Sequence, residues 1–164
     1  MKILAFDLAV SGNTGWARRD LADSKHLASG ILDLSLCETE HPGDRWPRIR
    51  EELRRFFREF YPALVVWERI VGNFKSAAAA DLLPLQAAVV EVCREFRFET
   101  KTVNQATVKK FATGKGNCPK ADVFAAAKFM WPDHAFASHD EADARFVLLW
   151  AENEIAAAQA GRAS

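Results

Sequence analysis

The chain has 164 residues, which suits one compact domain, and 49% of them are hydrophobic, which excludes wholesale disorder. Lys and Arg number 22 against 22 Asp and Glu, so no global basic excess marks a phosphate-binding protein and local segregation of charge must supply one. Cys37, Cys93 and Cys118 are odd in number and lack metal-ligand spacing, which excludes a disulfide framework and points to reduced thiols in the cytoplasm; neither a signal-like N-terminal run nor a membrane-spanning apolar stretch accompanies them.

Lys2–Leu8 is expected as a buried strand, apolar almost throughout. Ser11-Gly12-Asn13 reads as a turn, Thr14–Arg19 as a second strand and His26–Leu34 as a third. A helix follows, with Asp44 as N-cap and Ile49, Leu53, Phe56, Phe57 and Phe60 at helical spacing. Its opposite face carries five arginines among glutamates and reads as a solvated face with internal ion pairs. Ala63–Trp67 is the fourth strand and delivers Glu68 at its C-terminal end. After a loop at Gly72-Asn73, a helix is expected over Ser76–Phe96 with a kink at Pro84, then a short strand over Phe98–Val103. Asn104 is expected to cap a helix running to Phe111; Pro119 opens the first turn of another that ends at Met130. A last helix starts near Asp140 and enters an alanine-rich tail, loosely ordered from about residue 155. This order predicts a single α/β domain over residues 1–164, a mixed five-stranded sheet flanked by helices.

The carboxylates fall at telling places. Asp7 sits within an apolar strand, where an aspartate is costly unless paired, hydrogen-bonded or bound to metal. Glu68 follows the apolar run ALVVW directly, a similar anomaly. Asp140 and Asp143 are three residues apart at a helix start, which puts both on one face, continued by Val147 and Trp150 toward the interior. Taken alone, that pair reads more readily as capping residues that complement the helix dipole. Together the four acids can gather hard cations such as Mg²⁺ or Mn²⁺; two such ions roughly 4 Å apart activate a water and stabilise the leaving oxygen of a phosphodiester.

The chain resembles the RuvC family of Holliday-junction resolvases, particularly the compact versions found in phages. ILAFDLAVSGNTGWA is similar to the family's opening strand, its Asp-containing loop and the following Thr-Gly. ALVVWE resembles the strand that ends in the second acid, and HDEADA the motif in which two acids three apart begin the C-terminal helix. In VKKFATGKGNCPK, Lys109 and Lys120 lie eleven apart around Gly114 and Gly116, as two basic residues do in the family. Ala9 stands where a glycine is common, and Pro84 interrupts the helix after Glu68. Over residues 2 to about 150, the resemblance implies a ribonuclease-H-like fold. It further implies a homodimer, Mg²⁺ or Mn²⁺ held by Asp7, Glu68, Asp140 and Asp143, and paired nicks in branched DNA such as a four-way junction.

By the same resemblance, Lys109 and Lys120 hold backbone phosphates near the metals. Lys115 joins them on the glycine-rich loop, where flexible ammonium groups suit phosphate contact without sequence readout. Phe74, in the loop Arg69–Lys75, either wedges against an unstacked base or covers the sheet edge. His139, next to Asp140, is either an auxiliary to metal binding and proton transfer or an ordinary surface histidine.

Three other readings compete. One is another ribonuclease-H-like nuclease acting on RNA, an RNA–DNA hybrid or general branched DNA. Another is an actin-like or sugar-kinase-type ATP-binding protein, suggested by Ser11–Gly15, although that fold needs two such domains. The third is an inactive DNA-binding protein, which has no use for buried acids that repel phosphate.

Overall fold

The computed structural model describes residues 1–10, 13–23, 26–35, 40–69 and 77–163. Phe74, Cys37, Ser11, Gly12 and the loop after Arg69 lie outside them. Three strands open the chain: β1 (Lys2–Asp7), β2 (Asn13–Asp20) and β3 (Leu27–Asp33). They are followed by α1 (Pro42–Phe60), β4 (Leu64–Glu68), α2 (Ala77–Glu95), β5 (Glu99–Val103), α3 (Gln105–Thr113), α4 (Lys120–Met130) and α5 (His139–Ala163). The expected mixed sheet is found, in the order β3-β2-β1-β4-β5. β1–β2 and β2–β3 are antiparallel; β1–β4 and β4–β5 are parallel.

Successive strand side chains point to opposite faces, and β1 obeys this strictly. Ile3 and Ala5 join one core, with Val66 of β4, Val108 of α3, Val123 of α4 and Val147 of α5. Leu4 and Phe6 join the other, with Ile49, Leu53 and Phe57 of α1 and Leu85, Val89 and Val92 of α2. The sheet is thus covered on both faces, which is why β1 and β4 read as nearly unbroken apolar runs.

Several element ends differ from expectation. Asp44 does not cap α1. His41 does: its Nδ1 accepts the Gly43 N–H at 3.1 Å, and Asp44 falls within the first turn. Proline has no N–H to leave unsatisfied, so Pro42 lets the helix begin earlier. Pro119 is itself an N-cap, with extended backbone (φ −60°, ψ 153°), one position before the helical turn expected to hold it. The α2 helix continues through Pro84 to Glu95. The α5 helix continues to Ala163, through the residues expected as a loose tail.

The arginines of α1 are ion-paired as expected, but several bind across helices rather than within α1. Arg50 reaches Glu91 at 2.6 Å and Arg54 reaches Glu95 at 2.8 Å, so they lash α1 to α2. Cys93 is buried there, and burial pushes its thiol up to about 12, which makes it inert. Leu53 is fully buried between α1 and the sheet. Leu53→Ala should cost about 2–5 kcal/mol, read as a fall in the urea unfolding midpoint with an unchanged slope.

Candidate metal centre

The strand alternation that sorts the core also aims the acids. Continuing Ile3, Ala5 by two puts Asp7 on the α5 face, and continuing Leu64, Val66 puts Glu68 there too. Because β1 and β4 are adjacent and parallel, both carboxylates emerge at the same end of the sheet. Each is anchored by its neighbours. Fully buried Thr14 places its Oγ1 3.2 Å from both the N and the O of Ala9, closing the chain just past Asp7. The Arg69 N–H donates to the Val103 carbonyl at 2.7 Å, extending the β4–β5 ladder beyond Glu68.

The α5 helix supplies the other two acids. Its start is held by Ser138, whose Oγ accepts the Glu141 N–H at 3.1 Å, while Glu141 Oε2 accepts the Ala137 N–H at 2.7 Å. This is a variant of the capping box. It leaves Asp140 and Asp143 free of the capping role that their position alone suggested. Ser138-x-x-Glu141 was legible in the sequence as a helix start and was missed.

Gly15 was noted only as part of the Thr-Gly motif, without its packing role. It pairs with Asp7 across the β1–β2 ladder, on the face toward α5. A Cβ there would lie 1.9 Å from the Asp140 carbonyl oxygen and 2.1 Å from its carbon. Only a residue without a side chain lets α5 come down onto β2 at this point. Beside it, Ala17 is small and fully buried against the same helix.

The consequence is convergence. Asp7, Asp140 and Asp143 each place a carboxylate oxygen such that all three lie within 4.8 Å of one another. Glu68 stands beside this triplet rather than in it, and shares with Asp7 two adjoining clefts. One, of about 360 Å³, is also lined by Arg69, Leu82, Asn104 and Gln105; the other, of about 90 Å³, by Lys109, Lys120 and Asp143. Arg69 and Gln105 carried no distinctive sequence signal and Asn104 only that of a helix start; the meeting of β4 with the start of α3 brings them here.

The electrostatics are those of an anionic nest. Burial, then the charges of Asp143, Glu68 and Asp140, raises the Asp7 carboxyl well above its ordinary range, with Lys120 opposing. Burial and Asp143 push Glu68 up to about 7, against the pull of Lys109, a Gln105 hydrogen bond and Lys120. Asp143 is raised by burial despite Lys120. Oxygen-only donors this close, each paying for its neighbours' charge, fit a hard divalent cation that would relieve the repulsion.

The expected basic residues divide. Lys120 hydrogen-bonds Asp140 and stands 3.5 Å from Asp143 Oδ2, inside the cluster. Lys109 lines the smaller cleft, its Nζ donating to the Cys118 carbonyl at 2.9 Å. Lys115 lies on the loop between them. That loop begins with Gly114 in the left-handed region (φ 79°) and is gathered by Thr113, whose Oγ1 accepts the Lys115 N–H at 3.2 Å. A Cβ on Gly116 would lie 3.0 Å from the Ala106 carbonyl, so the loop folds tightly back on α3. His139 stacks on Phe124, ring centroids 4.1 Å apart, on the rim beside Asp140.

A mixed five-stranded sheet with acids at the ends of two adjacent parallel strands and on a covering C-terminal helix is the ribonuclease-H-like fold. No family model matches the chain. It is 29% identical over 147 residues to the crossover junction endodeoxyribonuclease RuvC of Rickettsia akari, covering 88% of this chain and 92% of that one. The counterpart from Rickettsia felis gives the same identity and coverage. The structure of Thermus thermophilus RuvC in complex with a Holliday junction substrate superposes with a TM-score of 0.70 at 17% identity, covering 90% of each chain. The yeast mitochondrial Holliday junction resolvase superposes with a TM-score of 0.58 at 10% identity, covering 88% of this chain and 75% of that one. The chain is thus similar to RuvC proteins over most of its length and shares their fold, in line with the resemblance of its sequence motifs.

Two outcomes follow. Gly15→Ala should displace Asp140 and lower metal-dependent turnover by about 100-fold, the scale for misplacing a reacting group by an ångström, measured as the single-turnover cleavage rate. The second concerns pH. A carboxyl raised on folding favours the folded state below its unfolded value and withdraws that support as pH climbs through its folded value. For Glu68 the window runs from the ordinary 4.5 to about 7. The metal-free protein should therefore lose this contribution across that window, and a divalent cation should raise the melting temperature more at pH 8 than at pH 5.5.

Proposed function

We propose that the protein resolves Holliday junctions as a metal-dependent endonuclease, nicking branched DNA in pairs, with Asp7, Glu68, Asp140 and Asp143 as its catalytic carboxylates. The observation that carries this reading is the approach of Asp7, Asp140 and Asp143 to within 4.8 Å, with Glu68 on the adjoining cleft wall. The relatives' names supply the substrate: a crossover junction for the Rickettsia proteins and a Holliday junction for the Thermus complex.

Asp7, Asp140 and Asp143 would hold divalent cations, Mg²⁺ or Mn²⁺ and two in number, with Glu68 at their side. When bound, these ions activate a water for attack on the phosphodiester and stabilise the leaving oxygen. The chain's own residues do the rest. Lys109 and Lys120 offset the carboxylate charge that would otherwise repel a phosphate, and Lys115 extends the positive edge to the loop rim. Gln105 lines both clefts beside Glu68 and favours its charged form. Phe74 is assigned to wedging an unstacked base, and His139 to the cleft rim as an auxiliary.

A neutral net charge does not oppose this role, because the arginines of α1 are paired with acids of α1, of α2 and of the segment before α1, while the cleft lysines face the site. We assign a homodimer to the protein: α2 exposes Leu83 and Val90, seven residues apart and thus on one side of the helix. Among the described residues no helix is long and apolar enough to cross a membrane, and the reading places the protein in the cytoplasm with its DNA.

The test is cleavage of synthetic four-way junctions with Mg²⁺ or Mn²⁺, beside a flap, a linear duplex and an RNA–DNA hybrid. Paired nicks confined to the junction are expected. Asp143→Asn should abolish cleavage and retain junction binding in a gel-shift assay; full activity in that variant, or preference for the hybrid, would overturn the assignment.

A further inference from the structure

On the flank of α5 turned toward β3 lies a second set of ionisable groups, separate from the acidic nest. Glu141 and Arg145 are one turn apart and almost fully buried, at 2% and 4% exposure. Burying a charge is costly unless every polar atom is matched, and here the matching is nearly complete. Glu141 Oε1 accepts from Ser29 Oγ at 2.5 Å and from His134 Nε2 at 2.7 Å, while Oε2 takes the Ala137 N–H. Arg145 donates from Nε to Ser29 Oγ at 2.6 Å and from Nη2 to His134 Nδ1 at 2.9 Å. Its guanidinium lies 5.1 Å from the Trp131 ring centroid and 5.2 Å from that of Phe136.

The direction of each bond follows from what the groups can do. A guanidinium only donates, so His134 Nδ1 accepts and the ring proton resides on Nε2, aimed at Glu141. Ser29 likewise accepts from Arg145 and turns its own proton to Glu141. Two relays, one through Ser29 and one through His134, therefore join a buried cation to a buried anion. They tie three pieces of chain together: the edge strand β3, the segment before α5, and α5 itself.

This ring bears on the nest because of where Glu141 sits. It follows Asp140 and precedes Asp143 by two, and each step along a helix turns the side chain about 100°. With α5 lying against Gly15 at the Asp140 carbonyl, rotation about the helix axis is the freedom left to its first turn. A clamp on Glu141 removes that freedom. We propose that Ser29, His134, Glu141 and Arg145 are positioning residues that set the rotation of α5, and so the separation of Asp140 and Asp143 from Asp7, making divalent-cation affinity the property they control. The inference rests on the metal reading of the nest.

Glu141→Gln probes it with little change of shape. The amide NH₂ must face either the Ala137 N–H or the His134 Nε2–H, so one donor meets another and the clamp opens. Four quantities should be measured on the full chain: Mn²⁺ binding by calorimetry, melting temperature, junction affinity in Ca²⁺, and cleavage as a function of Mn²⁺. The expected result is Mn²⁺ affinity weaker by about tenfold, the lower end for loss of a group that orients metal ligands, with junction affinity unchanged and cleavage recovered at correspondingly higher Mn²⁺. Ser29→Ala, which cuts one relay only, should shift Mn²⁺ affinity in the same direction by a smaller factor and covers the case in which Glu141→Gln does not fold. Unchanged Mn²⁺ affinity in both folded variants overturns the proposal. So does a joint fall in stability, junction affinity and cleavage that added Mn²⁺ does not recover. Failure of the unaltered protein to bind Mn²⁺ would instead overturn the metal reading itself.

Discussion

The contact between Gly15 and the Asp140 carbonyl is the constraint on which the site depends. Where a side chain would stand on β2, the backbone of α5 stands instead. That one close approach brings a C-terminal helix down onto a strand formed more than a hundred residues earlier, directly across the ladder from Asp7. Around it the structure uses small or short groups for the same end. Ala17 continues the contact along β2, and Ala142, Ala144 and Ala151 lie buried on α5. Farther along, the Arg19–Glu152 pair at 2.9 Å fixes the helix to the strand again.

Closeness has an electrostatic cost, and the fold meets it locally. Carboxylates brought together in a partly dry cleft raise one another's proton affinity, as Asp7, Glu68 and Asp143 show. Lys120 from the start of α4 and Lys109 from the middle of α3 offset part of that repulsion. The nest is thus a site of stored repulsion that favours any ligand carrying compensating charge. On the other flank of α5 the opposite solution holds: Glu141 is buried, but hydrogen bonds from Ser29, Ala137 and His134 keep its carboxyl low. One helix turn therefore carries acids under mutual repulsion and an acid that is already satisfied.

Much of this was legible before any fold was known. The apolar runs of β1 and β4 announced buried strands because both faces of those strands are covered. Asp7 and Glu68 stood out because they interrupt or end such runs, where a core would reject a carboxylate. The helix ends were read less well, since caps depend on single side-chain contacts: His41 rather than Asp44 closes α1, and Ser138 with Glu141 opens α5.

What the sequence by itself determined is the identity and order of the elements, the four acids and the Lys109–Lys120 segment, because periodicity, polarity and glycine placement are local properties of the chain. What only the tertiary structure decided is which groups meet. Gly15 has no significance until α5 lies over it, Gln105 and Arg69 until β4 and α3 share a cleft, and Ser29 and His134 until β3 and the approach to α5 enclose Glu141. Gly15 and Asp140, or Ser29 and Glu141, lie more than a hundred positions apart, and no local pattern encodes a distance between segments that only packing brings together.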